Sequence, residues 1–224
     1  IFGITWSYVI SYFSFEKNKK SIITAVFPII FITAPLFTEQ FNFILQSFEV
    51  AFAIILCSIA VFFISKWTIN SKNTIYLIIS LISMIWGFGT YQAIVFLYIS
   101  GVLGCYILIY IANKKGNIKL EKNYFLISVF KYLGTFILGY VGYVIVDKIV
   151  RSFYGASAYV DGMIKWGTEP AIESIKNILR YIRYGLFGDG LFYSKVFLVC
   201  IVFLAIYAIA NMFTKNKDKF LFLA

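Results

Sequence analysis

The sequence predicts an all-α fold: a polytopic transmembrane helix bundle, with an interfacial amphipathic helix in a long outer loop. Three observations predict it. Of the 224 residues, 61% are hydrophobic and 13% charged, whereas soluble domains have about half and about a quarter. The apolar residues gather into runs at 1–15, 21–37, 43–65, 75–112, 124–147 and 191–212. The basic residues between them concentrate in four short segments, as the loops on one side of a membrane do.

The first three runs are each a single element, since a helix needs about 20 residues to cross the hydrocarbon layer. The fourth is not. Its residues 75–112 would make a helix of roughly 57 Å, so it must be two helices, with the expected break at Gly87-Phe88-Gly89-Thr90, where two glycines permit a tight turn. Run 124–147 is the next span, in which Gly134, Gly139 and Gly142, with Ser100 and Gly104 in the span before, favour close helix contact. Lys131 in this span is expected to snorkel towards water. Between 147 and 190 lies the long loop. Its first part, Ser152 to Gly167, is an aromatic connector, and Glu169-Pro170 opens a helix. Ala171, Ile172, Ile175, Ile178, Leu179 and Ile182 line one side of that helix, and Glu173, Lys176, Asn177, Arg180 and Arg183 the other, as for a helix lying in the membrane surface. Asp189, between Gly188 and Gly190, reads as a turn residue.

The segments 16–20, 66–72, 114–122 and 215–219 hold twelve of the twenty basic residues and three of the ten acids, so they carry +9 of the formal +10 charge. The net charge is a topology signal and not a nucleic-acid-binding surface. With those segments inside, the turn at Thr38–Phe43, the turn at Gly87–Gln92 and the loop over about 148–190 face outward. The chain opens at Ile1, already within an apolar run, and reads as one transmembrane domain over 1–224, an internal piece of a longer chain. There is no histidine, which removes imidazole-based proton relay, nucleophile activation and metal ligation. Cys57, Cys105 and Cys200 are far apart within apolar runs and read as small buried hydrophobes. No metal-ligand spacing is visible.

Candidate site residues sit on the outward side. Glu39, Asn42, Gln46 and Glu49 are spaced by three, four and three, which places them on one face of a helix beginning at Thr38-Glu39. Glu49 lies six residues past Phe43, roughly 9 Å in along the helix; a carboxylate there calls for a cavity or a partner. Glu39 and Glu49 are thus the candidate catalytic acids. Tyr91 and Gln92 follow the glycine turn and have groups suited to a sugar or phosphate oxygen. Asp161 and Trp166 in the connector, and Arg180 and Arg183 on the interfacial helix, complete the set, the arginines suited to fork onto a phosphate.

Outward carboxylates, outward arginines and interfacial aromatics fit transfer of a group from a lipid-phosphate carrier. A carboxylate takes the acceptor's proton and cations hold the departing phosphate. A transporter or lipid flippase is the alternative, disfavoured because no span carries a charge at mid-depth. A non-catalytic membrane subunit also fits the composition.

The stretches Thr38-Glu39-Gln40-Phe41-Asn42-Phe43, Gln46-Ser47, Glu49-Val50-Ala51-Phe52-Ala53, Thr90-Tyr91-Gln92-Ala93 and Tyr159-Val160-Asp161-Gly162-Met163-Ile164-Lys165-Trp166-Gly167 resemble the GtrII-type glucosyltransferases, bacterial polytopic enzymes that modify surface polysaccharides such as O-antigen. The resemblance implies a GT-C-like fold in the bacterial plasma membrane, with the short basic loops cytoplasmic. It also implies a lipid-linked donor of the polyprenyl-phosphate-glucose type and a polysaccharide acceptor. By analogy the principal acid would be expected in a first outer loop upstream of Ile1, and Glu39 or Glu49 would then be secondary site residues.

Overall fold

The computed structural model describes residues 2–14, 28–29, 44–121, 123–155, 170–187, 199, 202–203 and 206. The chain divides into two compact units, Ile1–Ala156 and Ser157–Ala224. Every regular element among the described residues is an α-helix. The expected spans at 21–37 and 191–212 and the connector to Gly167 fall almost entirely outside the described residues. The turn at 38–43, the Asp189 turn and the lysine segments at 16–20 and 215–219 lie wholly outside them.

The first unit contains α1 (Phe2–Ser14), α2 (Ile44–Ile69), α3 (Thr74–Thr90), α4 (Ile94–Lys114) and α5 (Tyr124–Tyr154). Three of these, over Phe48–Ile69, Ile94–Lys114 and Tyr124–Tyr154, are long and apolar enough to cross a membrane. Together they make the protein an all-α membrane helix bundle. α3 is as apolar but has 17 residues, about 26 Å of helix, at the lower edge of what crosses the layer.

The fourth run does split in two, but not at its glycines. α3 continues through Gly87 and Gly89 to Thr90, and the chain turns at Tyr91–Ala93, where the Tyr91 amide donates to the Gly87 carbonyl (3.0 Å) and the Ile94 amide to the Tyr91 carbonyl (3.1 Å). Both glycines lie inside the helix: a Cβ at Gly87 would make ordinary contact, 3.5 Å from Leu56 Cβ and 3.8 Å from the Ala53 carbonyl oxygen, on the face of α3 that packs against α2. Gly116 and Gly155 are the positive-φ glycines of the described residues, at 73° and 78°, and each follows the end of a helix.

Run 124–147 ends before its helix does. α5 continues past Asp147 to Tyr154, where the Gly155 amide donates to the Arg151 carbonyl at 2.9 Å. Its 31 residues make about 46 Å, against a layer of about 30 Å. The hydropathy boundary marks where the surroundings of α5 turn polar, and the Asp147–Arg151 pair at i,i+4 supports the helix beyond it.

α2 lies at the centre and touches the other four helices. Its buried stripe, Val50, Ala53, Ile54, Cys57, Val61 and Ile64, follows helical spacing. α5 reverses the soluble pattern. It buries Tyr124, Ser128, Tyr132, Thr135, Gly139 and Tyr143 and exposes Leu126, Phe130, Leu133, Leu138, Val141 and Ile145. In lipid, apolar contact gives no preference for protein over solvent, so small residues and hydroxyls make the helix interfaces. A methyl at Gly139 would overlap Met84 and one at Gly142 would overlap Ile85, as close contact at those glycines requires. Gly104 and Gly134, expected in the same role, meet nothing within 4 Å, and Ser100 is exposed, its hydroxyl bonded to the Phe96 carbonyl at 2.9 Å. Gly101 takes the role in α4, where a methyl would overlap the indole of Trp6 and lie 3.1 Å from Val61 Cγ2.

That difference gives a paired expectation. Gly101→Ala forces a rigid indole aside and lowers stability by about 1–3 kcal/mol. Gly104→Ala fills open space and raises it by up to about 1 kcal/mol through helix propensity. Thermal unfolding of the two variants in one detergent checks both signs.

The lysine-bearing end is tied by hydroxyls. Thr68 Oγ1 bonds the Tyr124 hydroxyl (3.0 Å) and reaches the Tyr132 hydroxyl (3.4 Å), which donates to Ser65 Oγ (3.2 Å). Lys66 Nζ lies 4.8–5.4 Å from the ring centroids of Tyr76, Phe62 and Tyr12, an aromatic cage built from three helices. Lys131 does not simply snorkel: its ammonium donates to Ser71 Oγ and sits 5.3 Å from the Trp67 ring. Cys57 and Cys105 are buried free thiols.

In the second unit, α6 (Ala171–Phe187) follows Pro170, whose carbonyl accepts from the Glu173 amide (2.9 Å) and the Ser174 amide (3.2 Å). Ile172, Ile175, Ile178, Leu179 and Ile182 are exposed along it, as are Arg180 and Arg183.

Candidate functional site

Polar side chains gather at the end of the first unit opposite the lysine-bearing loops. The α3–α4 turn places Gln92 against α5, and Gln92 Nε2 donates to the Tyr143 hydroxyl. Tyr143 is buried, with its ring edge-on to Phe88 (centroids 6.4 Å apart) and tilted against Tyr140 (5.9 Å). One turn further along α5, Asp147 Oδ2 accepts from Arg151 Nε at 2.8 Å, with both side chains about one-third exposed. Gln92, Tyr143, Asp147 and Arg151 thus bring amide, phenol, carboxylate and guanidinium to one end of the bundle.

Beside them lies an open cleft of about 400 Å³ lined by Ile82, Ile85, Trp86, Gly89, Thr90 and Val146. Thr90 Oγ1 is turned back to the Trp86 carbonyl (2.9 Å), which leaves the cleft predominantly apolar. Trp86 is 59% exposed and stands edge-on to Phe52, with centroids 5.6 Å apart.

Glu49 sits on α2 at this same end, one turn beyond the Ala53–Gly87 contact, and is exposed. Its neighbour Phe48 stacks on Phe52 at 6.3 Å. Of the expected stripe, Gln46 lies on α2, while Glu39 and Asn42 are outside the described residues, as are Asp161 and Trp166. Gln92 is exposed on the turn, whereas Tyr91 is half-buried and packed against the core. Arg180 and Arg183 are exposed three residues apart on α6. Among the described residues, no three His, Cys, Asp or Glu side chains cluster as metal ligands would.

Sequence reasoning missed Tyr143 as the partner of Gln92, because the two lie 51 positions apart and no local pattern joins them. The Asp147–Arg151 pair was readable from its i,i+4 spacing, had the helix been carried past 147.

Neither a curated protein nor a solved structure matches the chain. The sequence model of the Glucosyl transferase GtrII family matches it over residues 1–224, the whole length given. By that match the chain, a helix bundle with three helices of membrane-spanning length among its described residues, belongs to the GtrII glucosyl transferase family.

Proposed function

We propose that the protein transfers a glucosyl residue from a polyprenyl-phosphate carrier to a cell-surface polysaccharide, on the outer face of a bacterial plasma membrane. The family match over the whole chain carries this reading. The distribution of charge supports the side: lysines dominate one end of the first unit, and lysine-rich loops face the cytoplasm. The other end, with Glu49 and Gln92, then faces outward. On this reading the whole chain acts as one transmembrane domain.

The reaction needs three things from the protein. As the acceptor oxygen bonds the anomeric carbon, a carboxylate takes the acceptor's hydroxyl proton, the role we give Glu49 and Glu39. The anomeric carbon–oxygen bond breaks, and its electron pair leaves on the carrier's phosphate. Cations at headgroup depth stabilise that charge, the role we give Arg180 and Arg183. Asn42, Gln46, Gln92, Asp161 and Trp166 supply hydrogen bonds and an aromatic face for the sugars.

The test is reconstitution of the full-length protein in liposomes with polyprenyl-phosphate [14C]glucose and an acceptor polysaccharide. The expected result is radiolabel covalently attached to the polysaccharide and release of polyprenyl phosphate. Movement of the intact lipid between leaflets without covalent transfer would instead establish a flippase.

A further inference from the structure

We propose that Tyr143, held by Gln92 and followed along α5 by Asp147 and Arg151, forms a subsite for the vicinal hydroxyls of a pyranose ring, with the exposed indole of Trp86 as its apolar wall; this rests on the reading of the protein as a sugar transferase. Four observations lead there. The Tyr143 ring packs edge-on to Phe88, a contact that phenylalanine would make equally well, so the hydroxyl needs another reason. That hydroxyl accepts from Gln92, an exposed turn residue that water would otherwise satisfy. With the Gln92 amide as its donor, the phenol keeps its own hydrogen to give elsewhere.

Next, the cluster offers donors and acceptors in balance. Asp147 and Arg151 cancel in charge, bonded at 2.8 Å. A phosphate would want donors alone and would be repelled by the carboxylate; a sugar hydroxyl both donates and accepts, and this set answers both. Finally, Gly89 joins the two parts: a Cβ there would be in ordinary contact with Tyr143 Cδ2, at 3.9 Å, and Gly89 also lines the cleft beside Trp86. The C–H face of a pyranose suits an exposed indole, while its hydroxyl edge meets the polar cluster.

The experiment uses the full-length protein in nanodiscs. Tyr143→Phe removes one oxygen and keeps the ring. Saturation-transfer NMR with methyl glucoside reads sugar binding without turnover; the wild-type signal is expected, with loss of most of it in Tyr143→Phe and in Gln92→Leu, an exposed-turn variant that still folds if the buried one does not. Inorganic phosphate should leave the signal unchanged. In transfer assays, KM for one sugar substrate rises about tenfold with kcat changed less than about threefold, the pattern of lost ground-state binding. A rise seen when the lipid donor is varied assigns the ring to the transferred sugar; a rise seen with the polysaccharide assigns it to the acceptor. A full methyl glucoside signal in both variants, displacement by phosphate, or unchanged KM for both substrates overturns the subsite. Absence of transfer from polyprenyl-phosphate glucose in a wild type that still binds methyl glucoside, with loss in Tyr143→Phe, overturns the donor reading and leaves the subsite standing.

Discussion

Glu49→Gln is expected to lower sugar transfer by roughly 100-fold or more while the protein still inserts and keeps its melting temperature. The magnitude is that of removing a general base. The stability expectation comes from the surroundings: Glu49 is exposed on α2, beside stacked Phe48 and Phe52 rings that it does not hold in place. A carboxylate near an apolar layer calls for a cavity or a partner, and on the proposed function that partner is the acceptor. Gln preserves the shape and removes the base. The measurement is kcat with both substrates saturating, alongside a thermal unfolding curve. A fall of less than tenfold would reduce Glu49 to a minor site residue; a fall accompanied by a lower melting temperature would assign it to the fold.

The second large effect is expected from removing Arg180 and Arg183 together. Both are exposed three residues apart on α6, whose isoleucines and Leu179 form an equally exposed apolar row. Helical spacing puts the two guanidinium groups side by side, where one phosphate can receive both. The double alanine variant should raise KM for the lipid-phosphate donor on the order of tenfold or more, since charge-assisted hydrogen bonds are the strong ones. The dependence on acceptor concentration should stay as in wild type. Replacement by lysines should restore part of the affinity, because the charge returns but the planar fork does not. An unaltered donor dependence in the alanine variant would leave these arginines as general headgroup contacts.

How far the fold was legible in the sequence follows from what hydropathy measures. It reports the apolar layer, so α2 and α4 were found nearly whole. It does not report helix ends: α5 runs to Tyr154 because Lys148 and Arg151 are sound helix formers and the Asp147–Arg151 pair supports the helix in polar surroundings. Nor does it separate two uses of glycine. Gly87 and Gly89 read as a turn and lie within α3, and Gly101 did for Trp6 what Gly104 was expected to do. Candidate site residues fared according to whether their meaning is local. The place of Gln92 after a break and the helical spacing of Arg180 and Arg183 are local signals, and the structure keeps both, Gln92 on the turn and the arginines exposed on α6. The hydroxyl that Gln92 bonds, on a helix reached only after α4 and a second loop, had no sequence signal at all.

The inverted faces of α5 have a practical consequence for engineering. Its contacts with the bundle run through Tyr124, Ser128, Tyr132, Thr135, Gly139 and Tyr143, whereas Leu126, Phe130, Leu133, Leu138, Val141 and Ile145 stand exposed. Solubility in oil and adhesion to neighbouring helices are thus written on different residues of one helix. Exchanging the second group for glutamate, lysine and glutamine would change the solvent this helix prefers and leave its inward contacts intact, which makes α5 the natural starting point for a water-soluble version of the bundle.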